Sequence, residues 1–150
     1  MIVRKYVFVL IVLVSKLFNY EIGGIIGKKG ENIAIVYFDS GKKTDCYIPN
    51  IKKLNFVISI WTKLGIGFAG MFHSHLDKSE TLSAKDKKYI EKIMVSVADC
   101  TDELCFPLVL PRKNKIIVYK AVNTDSEINI IRDDIKIINK RRYKNGEKRK

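Results

Sequence analysis

The sequence predicts an α/β (α+β) domain, a mixed β-sheet sandwiched by helices. Short runs rich in β-branched and aromatic residues outnumber the amphipathic helical patterns. The two kinds of segment are interleaved along the chain rather than grouped. At 150 residues the chain suits one compact domain. A domain of that size can bury roughly 70% of its unfolded surface without a disulfide.

Residues 6–18 are apolar almost throughout, and the length of the run favours a core helix over a buried strand. Arg4 and Lys5 ahead of YVFVLIVLV (residues 6–14) resemble the start of a secretory signal. However, the run is too short to span a membrane, Lys16 interrupts it, and no small-x-small cleavage site follows. It is read as a buried first element, and any exposed part of it could support a dimer.

Glu21 opens EIGGIIGKKG, a strand closed by a turn at Lys28-Lys29-Gly30. Residues 32–38 (NIAIVYF) form the next strand, and Asp39-Ser40-Gly41 turns the chain. Residues 44–48 (TDCYI) read as a third strand, stopped by Pro49. Asn50 is placed as the N-cap of a helix over about 51–63, because Ile51, Leu54, Ile58 and Trp61 fall on one face, with Gly65 ending it. Residues 65–75 (GIGFAGMFHSH) read as a buried strand, followed by a polar loop over 76–82. Ser83 and Asp86 form an S-x-x-D helix start. Behind it Ile90, Ile93, Met94 and Val97 share a face, with Lys87, Lys88, Glu91 and Lys92 mostly opposite. Residues 106–110 and 116–121 are strands joined across residues 111–114, and an amphipathic stretch over 127–138 follows.

Composition is 47% hydrophobic and 29% charged, which excludes global disorder and fibrous repeats. Net charge is +12, but residues 136–150 hold eight Lys/Arg against one Glu, so most of the excess belongs to the tail. The division is therefore a single domain over 1–135 and a basic tail over 136–150. The tail is a solvated terminus or, on the sharper reading, an arm for nucleic acid or an acidic partner. Cys46, Cys100 and Cys105 are too few and too irregular for a disulfide framework, which points to a reducing cytoplasm.

The chemistry concentrates in His73-Ser74-His75, which contains both histidines of the chain. Residues i and i+2 of a strand point the same way, so both imidazoles can meet one metal ion. Asp86, in the first turn of the following helix, can return a carboxylate to them. Two His and one carboxylate are a common catalytic zinc set, with the fourth position left for water. A hydrolase of this kind also needs a base and an oxyanion donor. Ser83 lies near in sequence as donor, and Glu21 is the best distant candidate for the base.

His73-x-His75-x7-Ser83-x2-Asp86 has the spacing of the JAMM motif, and Glu21 in EIGGIIG resembles that family's upstream glutamate segment. The order of elements is also similar over about residues 5–122. The chain thus resembles the JAMM/MPN-plus (JAB-domain) zinc metalloproteases of small prokaryotic type. The resemblance implies a JAMM/MPN-like fold with one zinc per chain, held by His73, His75 and Asp86. It implies that Glu21 is the general acid/base and that Ser83 helps stabilise the oxyanion. It implies a peptidase or isopeptidase acting by Glu-assisted attack of zinc-bound water, on the C-terminal tail of a ubiquitin-like or sulfur-carrier-like protein. The other readings are a RadC-like, nucleic-acid-associated protein of the same fold and a non-catalytic MPN scaffold. The family often has Pro after the second His and before the Ser. Leu76 and Leu82 stand there instead, which removes the stiffening that proline gives the loop but not the ligands.

Overall fold

The structure is a computed structural model that describes residues 1–41, 46–77, 79–125 and 127–139. In order, the elements are β1 (Ile2–Arg4), α1 (Lys5–Lys16), β2 (Gly23–Lys29), β3 (Asn32–Asp39), α2 (Ile51–Lys63) and β4 (Gly67–Ser74). They continue with α3 (Ala84–Ser96), β5 (Glu103–Leu110), β6 (Lys115–Asn123), β7 (Ile128–Asp133) and β8 (Lys136–Ile138). The strands form one mixed sheet in the order β7-β6-β5-β4-β2-β3-β1-β8. The β1–β3, β1–β8 and β4–β5 pairs are parallel and the others antiparallel. The outermost strands β7 and β8 are joined by only residues 134–135. That link reaches at most about 11 Å, so the sheet must curl until its two edges approach.

Alternation along the strands divides the core between two sheet faces. Ile26, Ile33, Phe72 and Val118 pack with Val7, Ile11 and Val12 of α1. Ile25, Met71, Leu104 and Phe106 pack with Leu54 and Trp61 of α2 and Ile90 and Met94 of α3. The neighbours Ile25/Ile26 and Met71/Phe72 thus face opposite layers, and the sheet is sandwiched by helices. In α1 the face of Val7, Ile11, Val12 and Ser15 is buried, while Val9, Leu10, Leu13 and the C-cap residue Leu17 are exposed, so only part of the apolar run serves the core. No helix among the described residues is long and apolar enough to cross a membrane.

The expected strand over 44–48 is corrected in part. Residues 46–48 are a loop with no ladder partner, and residues 44–45 lie outside the described residues. Side chains fasten the loop instead: Glu21 Oε2 accepts the Tyr47 N–H (3.1 Å), and the buried Asp39 Oδ2 accepts the Tyr47 hydroxyl (3.0 Å) and the Asn50 N–H (2.8 Å). The stretch over 127–138 becomes β7 and β8, and Lys136–Ile138 joins the sheet beside β1. The sheet therefore runs past the boundary read at 135, and residues 140–150, with most of the basic tail, lie outside the described residues.

One glycine sets the phase of the functional strand. Ile26 pairs with Gly70 but Gly27 pairs with Phe68, so Ala69 is an extra residue in β4. Gly70 has φ +141°, and a Cβ there would lie 1.7 Å from the Cys105 carbonyl oxygen. The bulge puts Met71 and His73 on the α3 face. Gly70→Ala should lower stability by about 3 kcal/mol, from backbone strain together with that clash. The check is a lower denaturant midpoint at constant slope; an unchanged midpoint would mean the bulge is not needed.

Candidate metal centre

The two histidines sit at the end of β4, held from both sides. His73 pairs with Gly23 of β2 and Leu108 of β5. The His75 N–H donates to the Val109 carbonyl at 2.9 Å, which continues the β4–β5 ladder one residue past the strand. Ser74 between them is fully buried. Its N–H donates to the Ile22 carbonyl (2.8 Å), and its Oγ accepts the Ile22 N–H (3.0 Å). These two hydrogen bonds lock the strand end to the segment carrying Glu21. The imidazoles consequently project to one side, with Nε2 atoms 3.1 Å apart and ring planes at 65°.

Asp86 reaches them from α3. Ser83 is the N-cap: its Oγ accepts the Asp86 N–H (3.1 Å), and Asp86 Oδ2 accepts the Ser83 N–H (2.8 Å) and the Ser83 hydroxyl (2.7 Å). This is a complete capping box. It aims the carboxylate so that Oδ1 lies 3.4 Å from His73 Nε2 and Oδ2 lies 3.4 Å from His75 Nε2. Tetrahedral zinc with bonds near 2.0–2.1 Å places its ligands about 3.3 Å from one another. The two Nε2 atoms stand 3.1 Å apart, and each has an Asp86 oxygen at 3.4 Å, Oδ1 for His73 and Oδ2 for His75. The three residues can each offer one atom, all within 4.8 Å of one another, so the donor set fits the ion by its chemistry and its convergence.

Electrostatics agree with the geometry. Burial alone would raise the Asp86 pKa, but hydrogen bonds from His73 and His75, with that of Ser83, hold the carboxyl well below the usual range. Burial alone would lower the His75 pKa, yet the Asp86 hydrogen bond and the charges of Glu21 and Asp86 raise it. A carboxylate that remains ionised beside two imidazoles suits a cation.

Glu21 lies just before β2, and its Oε2 accepts the Tyr47 N–H at 3.1 Å. Together with His73 and Asp86 it lines a cleft of about 480 Å³ between α3 and the loop ahead of α2. Tyr47 closes over Gly23, where a Cβ would meet its ring at 2.4 Å, so Gly23 permits the wall to approach. The fold therefore brings all five sequence-predicted residues to one place: His73, His75 and Asp86 converge, Glu21 shares their cleft, and Ser83 caps the helix that presents Asp86. The Ser83 hydroxyl points at Asp86 in this arrangement rather than into the cleft.

The loop between His75 and Ser83 is anchored without the two prolines. Glu80 binds Lys113 (2.9 Å) and Lys115 (2.8 Å) at the β5–β6 connection, and its backbone oxygen accepts the Tyr119 hydroxyl (2.9 Å). Leu82 is buried in the α3-side core. The hydrogen bonds from Lys113 and then Lys115 pull the Glu80 carboxyl from 4.5 to about 2. A lowered folded-state pKa means the anchor is fully present above 4.5 and is lost as pH falls toward about 2. Glu80→Gln should weaken metal binding at this group up to roughly tenfold at neutral pH, as loss of an outer support does. Chelator competition measures it; wild-type affinity in the variant would leave Leu82 as the anchor that matters.

Reasoning from sequence did not single out Ser74, Asp39 or Glu80 for these roles. Only Ser74 carried a signal, as the one residue enclosed by the histidines. The partners of Asp39 and Glu80 are set by tertiary contacts.

The sequence matches no protein-family model and no curated protein. Its fold is nevertheless similar to solved ones. Protein DSY2949 from Desulfitobacterium hafniense superposes with TM-score 0.66 at 15% identity, covering 93% of this chain and 94% of that one. AF2198, a JAB1/MPN domain protein from Archaeoglobus fulgidus, superposes with TM-score 0.56 at 12% identity, covering 92% and 97%. The fold is MPN-like, and in it His73, His75 and Asp86 form a group that could hold a metal ion.

Proposed function

We propose that the chain is a JAMM-type zinc peptidase or isopeptidase, acting on the C-terminal tail of a ubiquitin-like or sulfur-carrier-like protein. The observation that supports this is the convergence of His73, His75 and Asp86, one ligand atom each within 4.8 Å of one another, beside a cleft that also holds Glu21. Two histidines and one carboxylate leave one tetrahedral position open, as catalytic zinc requires and structural zinc does not. Zinc bound there supplies Lewis acidity and draws the pKa of water to about 7.

The side chains do the rest. Glu21 takes the proton of the attacking water and returns it to the leaving amine. Its Oε2 is held by the Tyr47 N–H, which leaves Oε1 for that proton. Ser83 donates to the developing oxyanion once its O–H turns from Asp86, while its N–H keeps Asp86 aimed. The apolar cleft walls hold the substrate chain and exclude bulk water from it.

The test is elemental analysis of untagged protein beside His73→Ala. About one zinc per chain, lost in the variant, is expected. Release of a reporter fused behind ubiquitin-like tails then tests hydrolysis. Protein that holds no zinc after reloading would refute the reading.

A further inference from the structure

The cleft is longer than the metal centre needs, and its far part has a chemistry of its own. Tyr47, Ile48, Pro49, Met71, Ile93 and Phe106 make it apolar along its floor and one wall. The α3 rim contributes Lys85, Lys88 and Lys92, three amines on one side of the helix. Lys85 bonds Cys46 Sγ across the mouth at 2.9 Å. Among the described residues, Lys88 and Lys92 are in no ion pair.

The carboxylates nearby are committed elsewhere. Glu21 and Asp86 stand at the metal end, held by Tyr47 and by Ser83 with the histidines. Asp39 is taken up by Tyr47 and Asn50. Glu91, although on α3, does not line the cleft. Lys85, beside Asp86, shares the field of Asp86 and Glu21 at the metal end. Farther along the rim, Lys88 and Lys92 have no ion-pair partner among the described residues and stand beside the apolar trough.

We propose that this cleft takes an extended acidic peptide segment, with an apolar side chain beside the scissile bond and Asp or Glu residues just beyond it. The proposal rests on the peptidase reading above and names the substrate class of that site. From Lys85 to Lys92 the helix advances about 10 Å. An extended peptide covers that in about three residues, so the carboxylates belong within three residues of the bond. A lysine-rich segment would meet like charge along the rim and be rejected.

The experiment uses the zinc-loaded full chain and fluorogenic peptides that share the apolar residue and differ beyond it: Glu-Glu, Gln-Gln or Lys-Lys. Both kcat/KM and binding by fluorescence anisotropy are read, at low salt and at about 0.5 M salt. The Glu peptide should be preferred over the Lys peptide roughly tenfold, since several exposed pairs each contribute a small factor. High salt should erase most of that preference. Replacing both Lys88→Glu and Lys92→Glu should reverse the order of the peptides. Equal use of all three, or an order unchanged in the double variant, overturns the proposal. Cleavage without a charge order leaves the peptidase reading standing and the cleft assignment refuted. A charge order in binding with no cleavage does the opposite.

Discussion

We expect Glu21→Gln to keep zinc at the wild-type level and to lose at least about a hundredfold in hydrolytic rate. Glutamine preserves the size of the side chain and can still accept the Tyr47 N–H, so the loop over Gly23 should stay in place. What it cannot do is take a proton from water and hand it to an amine. Glu21 is also not one of the three converging residues that could hold the metal, so metal content should not follow it. Rate and zinc are measured on the same preparation. A fully active variant would remove Glu21 from the mechanism, whereas a zinc-free variant would make it a ligand or a support of one.

Asp86→Ala should cost more than about a hundredfold in zinc affinity, beyond the loss seen when only a supporting group is removed. The substitution removes the proposed third ligand and leaves two imidazoles 3.1 Å apart without their carboxylate. It also breaks the capping box, a loss of about 1 kcal/mol in helix stability. Ser83→Ala separates the two effects, because it removes the hydroxyl cap while Asp86 stays. We expect Ser83→Ala to be destabilised to a similar degree and to keep zinc within about tenfold of wild type. Equal zinc loss in both variants would mean that the cap, rather than the carboxylate as ligand, governs binding.

The site was legible in the sequence because its signals are local. Histidines two residues apart in an apolar, β-branched run must share a strand face. A serine three residues before an aspartate, ahead of an apolar helical pattern, marks a helix start and puts the carboxylate in its first turn. The same locality made α2 readable: Asn50 does cap it, accepting the Lys53 N–H, and Gly65 ends it at φ +68°. Residues 46–48 misled for the same reason. Cys46-Tyr47-Ile48 has strand composition, but a strand also needs a partner, and here Tyr47 is fastened by the side chains of Glu21 and Asp39 instead.

The chain's own chemistry thus determined the helix caps, most strand segments and the choice of His73, His75 and Asp86, because spacing along one element acts over a few residues. Only the tertiary structure decided which face the histidines use, since the bulge at Gly70 resets the alternation of β4. Only it showed that Ser74 ties His73 and His75 to the Glu21 segment, and that Glu80 takes over the anchoring role of the absent prolines. The curl of the sheet and the lysine rim of the cleft belong to the same class. Each depends on residues distant in sequence meeting in space, and the pattern of a single segment holds no record of its partner.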